Sequence, residues 1–198
     1  MRRGLQPRAV STGRAAVIAL DLITDFAFPD GPRVRRALTR HSSAIRRLLD
    51  RARSERVPVF YANDNLGDWR SDAPALIAHC TESRRAGAAL VQALSPQKND
   101  EIVLKPRHSA FFGTPLVALL DDRRIDTLVI VGISAESCVW MTACDAHTRG
   151  FRLVIPADTL AGASSAAVRR TLTSLREVLG ARVPARARTI RFQHRRLR

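Results

Sequence analysis

The sequence predicts a three-layer α/β/α fold, in which helices cover both faces of a central, mostly parallel sheet of Rossmann-like type. Short apolar runs alternate with longer amphipathic segments along most of the chain. Uninterrupted apolar runs are typical of parallel strands buried on both faces, and the amphipathic segments are typical of crossover helices. A chain of 198 residues is long enough for one such domain. We therefore expect a flexible basic arm over residues 1–13, one domain over 14–187 and a basic tail over 188–198.

The apolar runs give the strands. The first runs without interruption from residue 15 to residue 20 and ends at Asp21. Four further runs have the length and composition of strands, and a last one has those of an edge strand. The predicted strands are 15–20, 57–61, 101–104, 128–131 and 152–155, with the edge strand at 182–187.

The segments between the strands have helical periodicity, with apolar residues on one face and arginines on the other. Thr114 and Pro115 are residue types that begin a helix, and Gly150 and Gly180 are of the type that ends one. The predicted helices are 34–53, 74–80, 87–94, 114–123, 136–149 and 165–179.

Composition excludes several classes of protein. No apolar run approaches the roughly 20 residues that span a bilayer, so no membrane contact is expected. Asp21 and Asp25 interrupt the first apolar stretch, which makes it a poor secretion signal. The three cysteines are odd in number and lack the spacing of metal ligands. This number and spacing indicate free thiols in a reducing compartment, so we expect a cytoplasmic protein.

The net charge of +15 raises the question of nucleic-acid binding. The arginines are scattered along helical faces, and the chain has neither arginine-glycine repeats nor a zinc finger. Lys98 and Lys105 are the only lysines among 33 basic residues, a skew typical of coding bias. We expect no specific nucleic-acid partner, although weak, salt-sensitive adsorption to polyanions is consistent with this charge.

Chemically useful side chains follow the predicted strands. Asp21, Asp64 and Lys105 stand at strand ends, and a turn at Gly132 follows the fourth strand. The carboxyl ends of parallel strands meet at one edge of a sheet, where ligands bind in such folds. Residues far apart in the sequence are therefore predicted to share one site.

Cys138 follows that turn and begins a helical segment. Backbone N–H groups and the positive end of the helix dipole converge there, so we expect a lowered thiol pKa and a nucleophilic thiolate. A cysteine that serves only as a small apolar residue at a helix start is the alternative interpretation.

A carboxylate, an ammonium and a thiol at one sheet edge form a consistent nucleophilic site. Lys105 would stabilise a thiolate at Cys138, and Asp21 would accept the thiol proton. A cysteine–histidine pair is the alternative, and His108 is the histidine nearest to a predicted strand end.

Three blocks of sequence resemble the cysteine hydrolases of the isochorismatase-like superfamily, which include nicotinamidases, N-carbamoylsarcosine amidases and ureidoacrylate amidohydrolases. The blocks are ALDLITDF at 19–26, KPRHSAFFGT at 105–114 and GISAESCV at 132–139, in the order that the family has. The resemblance extends over nearly everything between residues 15 and 185.

The resemblance implies that Asp21, Lys105 and Cys138 form a catalytic triad. It also implies a cis peptide between Ile133 and Ser134, which would aim the backbone N–H of Ser134, together with that of Cys138, at an oxyanion. The implied reaction is hydrolysis of a small C–N substrate, such as a carboxamide or a carbamoyl or ureido group, through a thioester. Family members are usually dimers or tetramers, so a homo-oligomer is expected.

The chain departs from the family in two places. Ile23 stands where many relatives have glutamine. Asp64 and His79 match two of the metal-binding positions of nicotinamidases, but Leu66 replaces the middle histidine. An apolar side chain at the third position makes a poor divalent site, so we expect no metal and no cofactor.

Substrate contacts are predicted from the segments that flank the strand ends. Isochorismatases proper typically lack the nucleophilic cysteine, so Cys138 favours C–N bond hydrolysis. The predicted contacts are Phe26, Asn63, Asn65, Trp69 and Phe111. A catalytically silent binder or scaffold on the same fold is the second hypothesis, and a charge-driven nucleic-acid-associated protein is the third.

Overall fold

The computed structural model describes residues 14–192, so the predicted arm at 1–13 and the end of the predicted tail, 193–198, lie outside the described residues. One sheet of five parallel strands runs through the described part, in the order β3-β2-β1-β4-β5. The strands are β1 Ala15–Leu20, β2 Val59–Asp64, β3 Glu101–Lys105, β4 Thr127–Gly132 and β5 Arg152–Val154. The predicted parallel α/β architecture is confirmed.

Within residues 14–192, six α-helices connect and cover these strands. They are α1 Gly31–Ser54, α2 Ala73–Thr81, α3 Ala88–Ala93, α4 Leu116–Asp122, α5 Trp140–Thr148 and α6 Ser165–Glu177. Short 3₁₀ turns lie at Ala157–Thr159 and Ala187–Thr189. A wider π-type turn, Ala135–Val139, leads directly into α5.

The core has two halves, one on each face of the sheet. Alternate residues of β1 point in opposite directions: Val17 and Ala19 pack on the side of α1, α2 and α3, whereas Ile18 and Leu20 pack on the side of α4, α5 and α6. Every residue of β1 and β4 is buried. These two central strands therefore read as unbroken apolar runs because both of their faces are covered.

The predicted edge strand at 182–187 is wrong. Arg182 pairs with β5 through two backbone hydrogen bonds, from its N to the oxygen of Leu153 at 2.9 Å and from the N of Ile155 to its oxygen at 2.8 Å. Pro184 lacks the N–H that would continue the ladder. Only an isolated bridge between Val154 and Arg182 forms.

The chain stays packed beyond residue 187. Ile190 and Phe192 are buried against the α1 side of the core. The guanidinium of Arg51, on α1, lies 5.5 Å from the centre of the Phe192 ring. The segment after α6 therefore closes over one end of α1.

The strand order places Asp21 at a topological switch point. β1 lies between β2 and β4, so the connections to β2 and β3 lead to one side of it and β4 and β5 lie on the other. In open parallel sheets the ligand crevice forms where the strand order reverses. Among residues 14–192 no helix combines the length and the apolar character needed to cross a bilayer. Assembly into dimers or tetramers stays a prediction.

Gly132, at the end of β4, is expected to be irreplaceable for steric reasons. Its φ is +118°, and a Cβ there would lie 2.1 Å from the backbone oxygen of Leu20. We expect Gly132→Ala to lower the free energy of unfolding by at least about 2 kcal/mol more than Gly150→Ala does. Gly150 has a φ of +82° with open space around it, so its substitution should carry only the left-handed backbone penalty of about 1–2 kcal/mol. Urea unfolding of both variants is the measurement, and equal losses would contradict the close approach of β4 to β1.

Candidate active site

The ion pair between Lys105 and Asp21 lies at the centre of the site. Lys105, the last residue of β3, has no solvent exposure, and its Nζ lies 3.0 Å from Oδ2 of Asp21 and 3.9 Å from Oδ2 of Asp64. The other Asp21 oxygen accepts a hydrogen bond of 2.7 Å from the backbone N–H of Asp64. Both oxygens of the Asp21 carboxylate are therefore held in place.

Cys138 completes the group. It lies in the π-type turn before α5, where the N–H of Val139 donates to the oxygen of Ser134 at 3.1 Å. Its Sγ is 3.5 Å from Nζ of Lys105, and the residue is 8% exposed. The ends of β1, β3 and β4 thus bring together the three side chains that the sequence predicts for catalysis.

His108 also reaches the thiol. Its Nδ1 lies 3.6 Å from Sγ of Cys138, on the exposed loop after β3. The cysteine–histidine pair considered from the sequence therefore exists as a contact. His108 differs from Lys105 in being exposed and in lacking the buried carboxylate partner that Lys105 has.

The expected lowering of the thiol pKa is wrong. Burial raises the pKa of Cys138 to about 12, and the Asp21 carboxylate adds to this effect while Lys105 opposes it. The helix start is overridden because desolvation and a neighbouring negative charge both disfavour a thiolate. The resting nucleophile is therefore a thiol.

The other two members of the group titrate in a coupled way. Burial raises the pKa of Asp21 above its ordinary value, and Lys105 only partly offsets that rise. Burial disfavours the ammonium of Lys105, but Asp21 and Cys138 outweigh this effect, so the pKa of Lys105 is raised. A carboxylate with a raised pKa next to a thiol is suited to accept its proton.

The peptide bond between Ile133 and Ser134 is cis, as the resemblance implies. Ser134 and Cys138 both lie on the wall of a cavity at this edge of the sheet. The two residues proposed as oxyanion donors thus face the same space.

That cavity has a volume of about 600 Å³ and opens above the thiol. Its wall comes from the loop after β1, the end of β2, the loop after β3 and the turn after β4. Around the predicted catalytic residues Asp21, Ser134 and Cys138, it is formed by Ile23, Thr24, Asp25, Ala27, Phe28, Asp64, Leu66, His108, Ile133 and Ser137. Several of these residues directly follow a strand end, and that position in the sequence was the feature from which they could have been predicted to line the cavity.

The two phenylalanines predicted to contact substrate, Phe26 and Phe111, are buried in the core instead. Phe26 has a φ of +58°, and its ring packs so closely on Gly87 that a Cβ there would lie 2.5 Å from it. Phe111 stacks on Phe151 with ring centres 6.0 Å apart, beneath the guanidinium of Arg149. Neither ring lines the cavity.

The remaining three predicted contacts also lie off the cavity wall. Asn63 is fully buried and donates a hydrogen bond of 2.9 Å to the backbone oxygen of Ile23, which positions the loop after β1. Asn65 is buried and accepts from the N–H of Gly67. Trp69 is 77% exposed on the loop before α2. The asparagines are engaged with backbone, and the tryptophan points into solvent.

The residues at the positions of the nicotinamidase metal site do not fit a divalent cation. Nε2 of His79 lies 3.2 Å from Oδ2 of Asp25, and its Nδ1 lies 3.2 Å from Nη2 of Arg85. A guanidinium against the imidazole repels a cation. Asp64 accepts from the N–H of Leu66, whose side chain has no ligand atom. No group of three metal-ligating side chains occurs anywhere in residues 14–192.

The thiol pKa should respond with opposite signs to the loss of its two charged neighbours. The Asp21 carboxylate raises it and the Lys105 ammonium lowers it, so Asp21→Asn should lower the pKa of Cys138 and Lys105→Met should raise it further. One pKa unit changes the thiolate fraction about tenfold at a given pH. Ultraviolet titration of the thiolate, with Cys138→Ala as the blank, measures both. Shifts of the same sign would contradict the arrangement, and circular dichroism confirms that each variant is folded.

The comparisons with known proteins agree with this geometry. The chain matches the Isochorismatase domain family over residues 15–185. The uncharacterized isochorismatase family protein YaaI of Bacillus subtilis is 30% identical over 174 residues, which cover 88% of this chain and 95% of YaaI. The N-carbamoylsarcosine amidase of an Arthrobacter species is 32% identical over 173 residues, which cover 80% of this chain and 63% of the amidase.

A solved structure has the same fold. The N-carbamoylsarcosine amidase of Thermoplasma acidophilum superposes with a TM-score of 0.68 at 25% identity, covering 90% of this chain and 99% of the amidase chain. The family match spans every strand of the sheet and the residues Asp21, Lys105 and Cys138. The chain therefore belongs to the isochorismatase family of hydrolases.

Proposed function

We propose that the protein is a cysteine-dependent hydrolase of a small C–N substrate, such as a carboxamide or a carbamoyl or ureido group, and that the reaction passes through a thioester on Cys138. The observation that carries the proposal is the buried contact of Nζ of Lys105 with Oδ2 of Asp21 at 3.0 Å and with Sγ of Cys138 at 3.5 Å. The relatives named N-carbamoylsarcosine amidase support the bond type.

Attack by the thiol is coupled to proton transfer. Because the thiol is protonated at rest, Asp21 accepts its proton as Sγ forms a bond to the substrate carbonyl carbon. As the negative charge moves from Asp21 to sulfur, the ammonium of Lys105 stabilises it. The carbonyl oxygen becomes an oxyanion, for which the backbone N–H groups of Ser134 and Cys138 are the proposed donors.

The same carboxyl group serves the second half of the reaction. As the tetrahedral species collapses, the C–N bond breaks and Asp21 returns the proton to the departing nitrogen. Water then attacks the carbonyl carbon of the thioester and gives one proton to Asp21, and the C–S bond breaks to release the carboxylic acid and the thiolate of Cys138. The proton passes back to sulfur, and the enzyme returns to its resting thiol form.

The charge of the cavity wall supports a substrate that is neutral or positively charged. Asp21, Asp25 and Asp64 all line it. Lys105 lies 3.0 Å from Asp21, and Arg85 lies 3.5 Å from Asp25. Asp64, whose side chain is partly exposed, is therefore the carboxylate that contributes most of the negative charge. Although burial alone would raise the pKa of Asp25, the Ala27 amide together with the charged neighbours keeps that pKa below its ordinary value, so the group is ionised. A substrate carboxylate would meet like charges here.

Loss of the nucleophile is the direct test. We expect Cys138→Ala to lower the rate of amide or ureide hydrolysis by at least about 10³-fold, since the thioester route is then closed. Cys144→Ala is the matched control, because Cys144 lies on α5 outside the cavity wall, and it should keep its activity. Release of ammonia or amine from a panel of small carboxamides and ureides is the measurement.

A trapped intermediate gives the second readout. Mass spectrometry of acid-quenched wild type should show the acyl group on the peptide that contains Cys138. Activity retained in Cys138→Ala would sink the proposal. Binding of panel compounds without turnover in the wild type would favour the silent binder on the same fold.

The charge of the cavity has a test that needs no substrate. We expect a cationic methanethiosulfonate to modify Cys138 faster than an anionic one, by about threefold to tenfold after each rate is normalised to Cys144. Asp64→Asn should bring the ratio closer to one. Mass spectrometry resolved by peptide measures both cysteines in one sample. A ratio at or below one in the wild type would remove the preference for neutral and cationic substrates while leaving the hydrolase proposal untouched.

A further inference from the structure

A second concave surface lies on the outer side of α1. It has a volume of about 670 Å³, and none of its lining residues is shared with the catalytic cavity. Guanidinium groups dominate it. We call it the arginine cleft, and its arginines are Arg40, Arg47, Arg51, Arg186 and Arg188.

The helical repeat accounts for one wall of the arginine cleft. Positions 40, 44, 47 and 51 fall on one face of α1, because residues spaced by three and four are neighbours on a helix. The small side chain of Ala44 lies between the arginines before and after it and leaves space there. The other wall is the segment around the 3₁₀ turn Ala187–Thr189.

Arg51 joins the two walls. Its Nη2 donates to the backbone oxygen of Ala187 at 3.0 Å, and its Nη1 donates to that of Arg188 at 3.3 Å. These contacts connect α1 to a segment more than 130 residues later in the chain. The cleft is therefore built by tertiary contacts rather than by one helix surface.

The remaining guanidinium groups of the cleft lack counter-charges. Within residues 14–192, no carboxylate lies within ion-pair distance of Arg40, Arg47, Arg186 or Arg188. The one carboxylate that lines the cleft, Asp158, accepts a hydrogen bond of 2.7 Å from the backbone N–H of Ala187. Elsewhere on the molecule some arginines are paired, such as Arg53, which contacts both Asp50 and Asp100. The cleft therefore differs from other unpaired arginines of the described residues in bringing several guanidinium groups around one concavity.

A histidine also lines the cleft. Burial lowers the pKa of His41, Arg40 and Arg186 lower it further, and Asp158 opposes them. The imidazole of His41 therefore lies close to charged groups from both walls of the cleft.

We propose that the arginine cleft binds a compact polyphosphate anion. Guanidinium groups present paired N–H donors that match phosphate oxygens, and several of them around one concavity suit a ligand with several phosphate groups. The volume lies in the range of small-molecule sites. Phe, Tyr and Trp are absent from the described residues that line the cleft, so the imidazole of His41 is the one ring there on which a nucleobase could stack. A second copy of this chain is a poor occupant, because each copy carries a net charge of +15.

Calorimetric titration of the full-length protein with sodium tripolyphosphate tests the proposal, at about 0.15 M salt to screen diffuse attraction. We expect saturable binding at one site per chain. The double substitution Arg47→Gln with Arg186→Gln should weaken it by at least about tenfold, since two charge-assisted contacts are lost. The matched control, Arg169→Gln with Arg170→Gln, removes the same charge from exposed positions on α6 and should change affinity less than about twofold.

A local readout keeps the test decisive if the double variant folds poorly. In the wild type, the imidazole resonance of His41 should shift on titration with tripolyphosphate and saturate at the calorimetric affinity. Equal losses in the two double variants, or a wild type without saturable binding, would overturn the proposal in favour of diffuse charge. Displacement of tripolyphosphate by single-stranded RNA at lower concentration would overturn it in favour of a nucleic-acid surface.

Discussion

An ammonium group without solvent exposure persists only where a carboxylate neutralises it, and Lys105 meets this condition through Asp21. Removing one partner of such a buried pair leaves the other charge without a counter-charge and typically destabilises a protein by about 3–5 kcal/mol. The strand ends that carry the pair are therefore fixed relative to one another by charge as well as by the backbone ladder. Cys138 is added to an arrangement that is already electrically balanced, which explains why its thiol stays protonated at rest.

The balance within this group determines how charge moves during the proposed reaction. In the proposed reaction the negative charge leaves Asp21 as sulfur attacks and returns when the leaving group is protonated, and in the resting structure the ammonium of Lys105 already lies 3.5 Å from Sγ. Little solvent has to reorganise, because the counter-charge is already in place. The two concave surfaces differ in charge: three carboxylates line the cavity above Cys138, whereas five guanidinium groups line the arginine cleft beside α1.

Much of the fold and the catalytic group was predictable because both follow from local patterns. The runs that became β1 and β4 are unbroken. The parallel topology explains why Asp21 and Lys105 at strand ends lie close to Cys138, in the turn that follows β4. The failures came from interactions between distant residues. Pro184 ended a strand that its neighbours favoured, and a backbone with a φ of +58° turned Phe26 into the core.

The prediction of a lowered pKa for Cys138 was wrong for the same reason. The start of a helix can be predicted from the sequence, but the burial of the thiol and its closeness to Asp21 cannot. Burial and the Asp21 carboxylate raise the thiol pKa by more than the helix start lowers it. The sequence correctly placed Asn63 and Asn65 near the carboxyl ends of the strands. Their side chains lie off the cavity wall because each one forms a hydrogen bond with a backbone group.

The catalytic groups come from the ends of strands and a helical turn, while much of the cavity wall comes from the loops after β1 and β2. Strand ends are fixed by the ladder on both sides, whereas loops accept insertions and new side chains at little expense to the core. The proposed chemistry and the selectivity are therefore carried by separable parts of the chain. A library confined to the exposed cavity-lining positions Ala27, Phe28 and Leu66 would vary what is admitted to the thiol while leaving Asp21, Lys105 and Cys138 and the core residues unchanged.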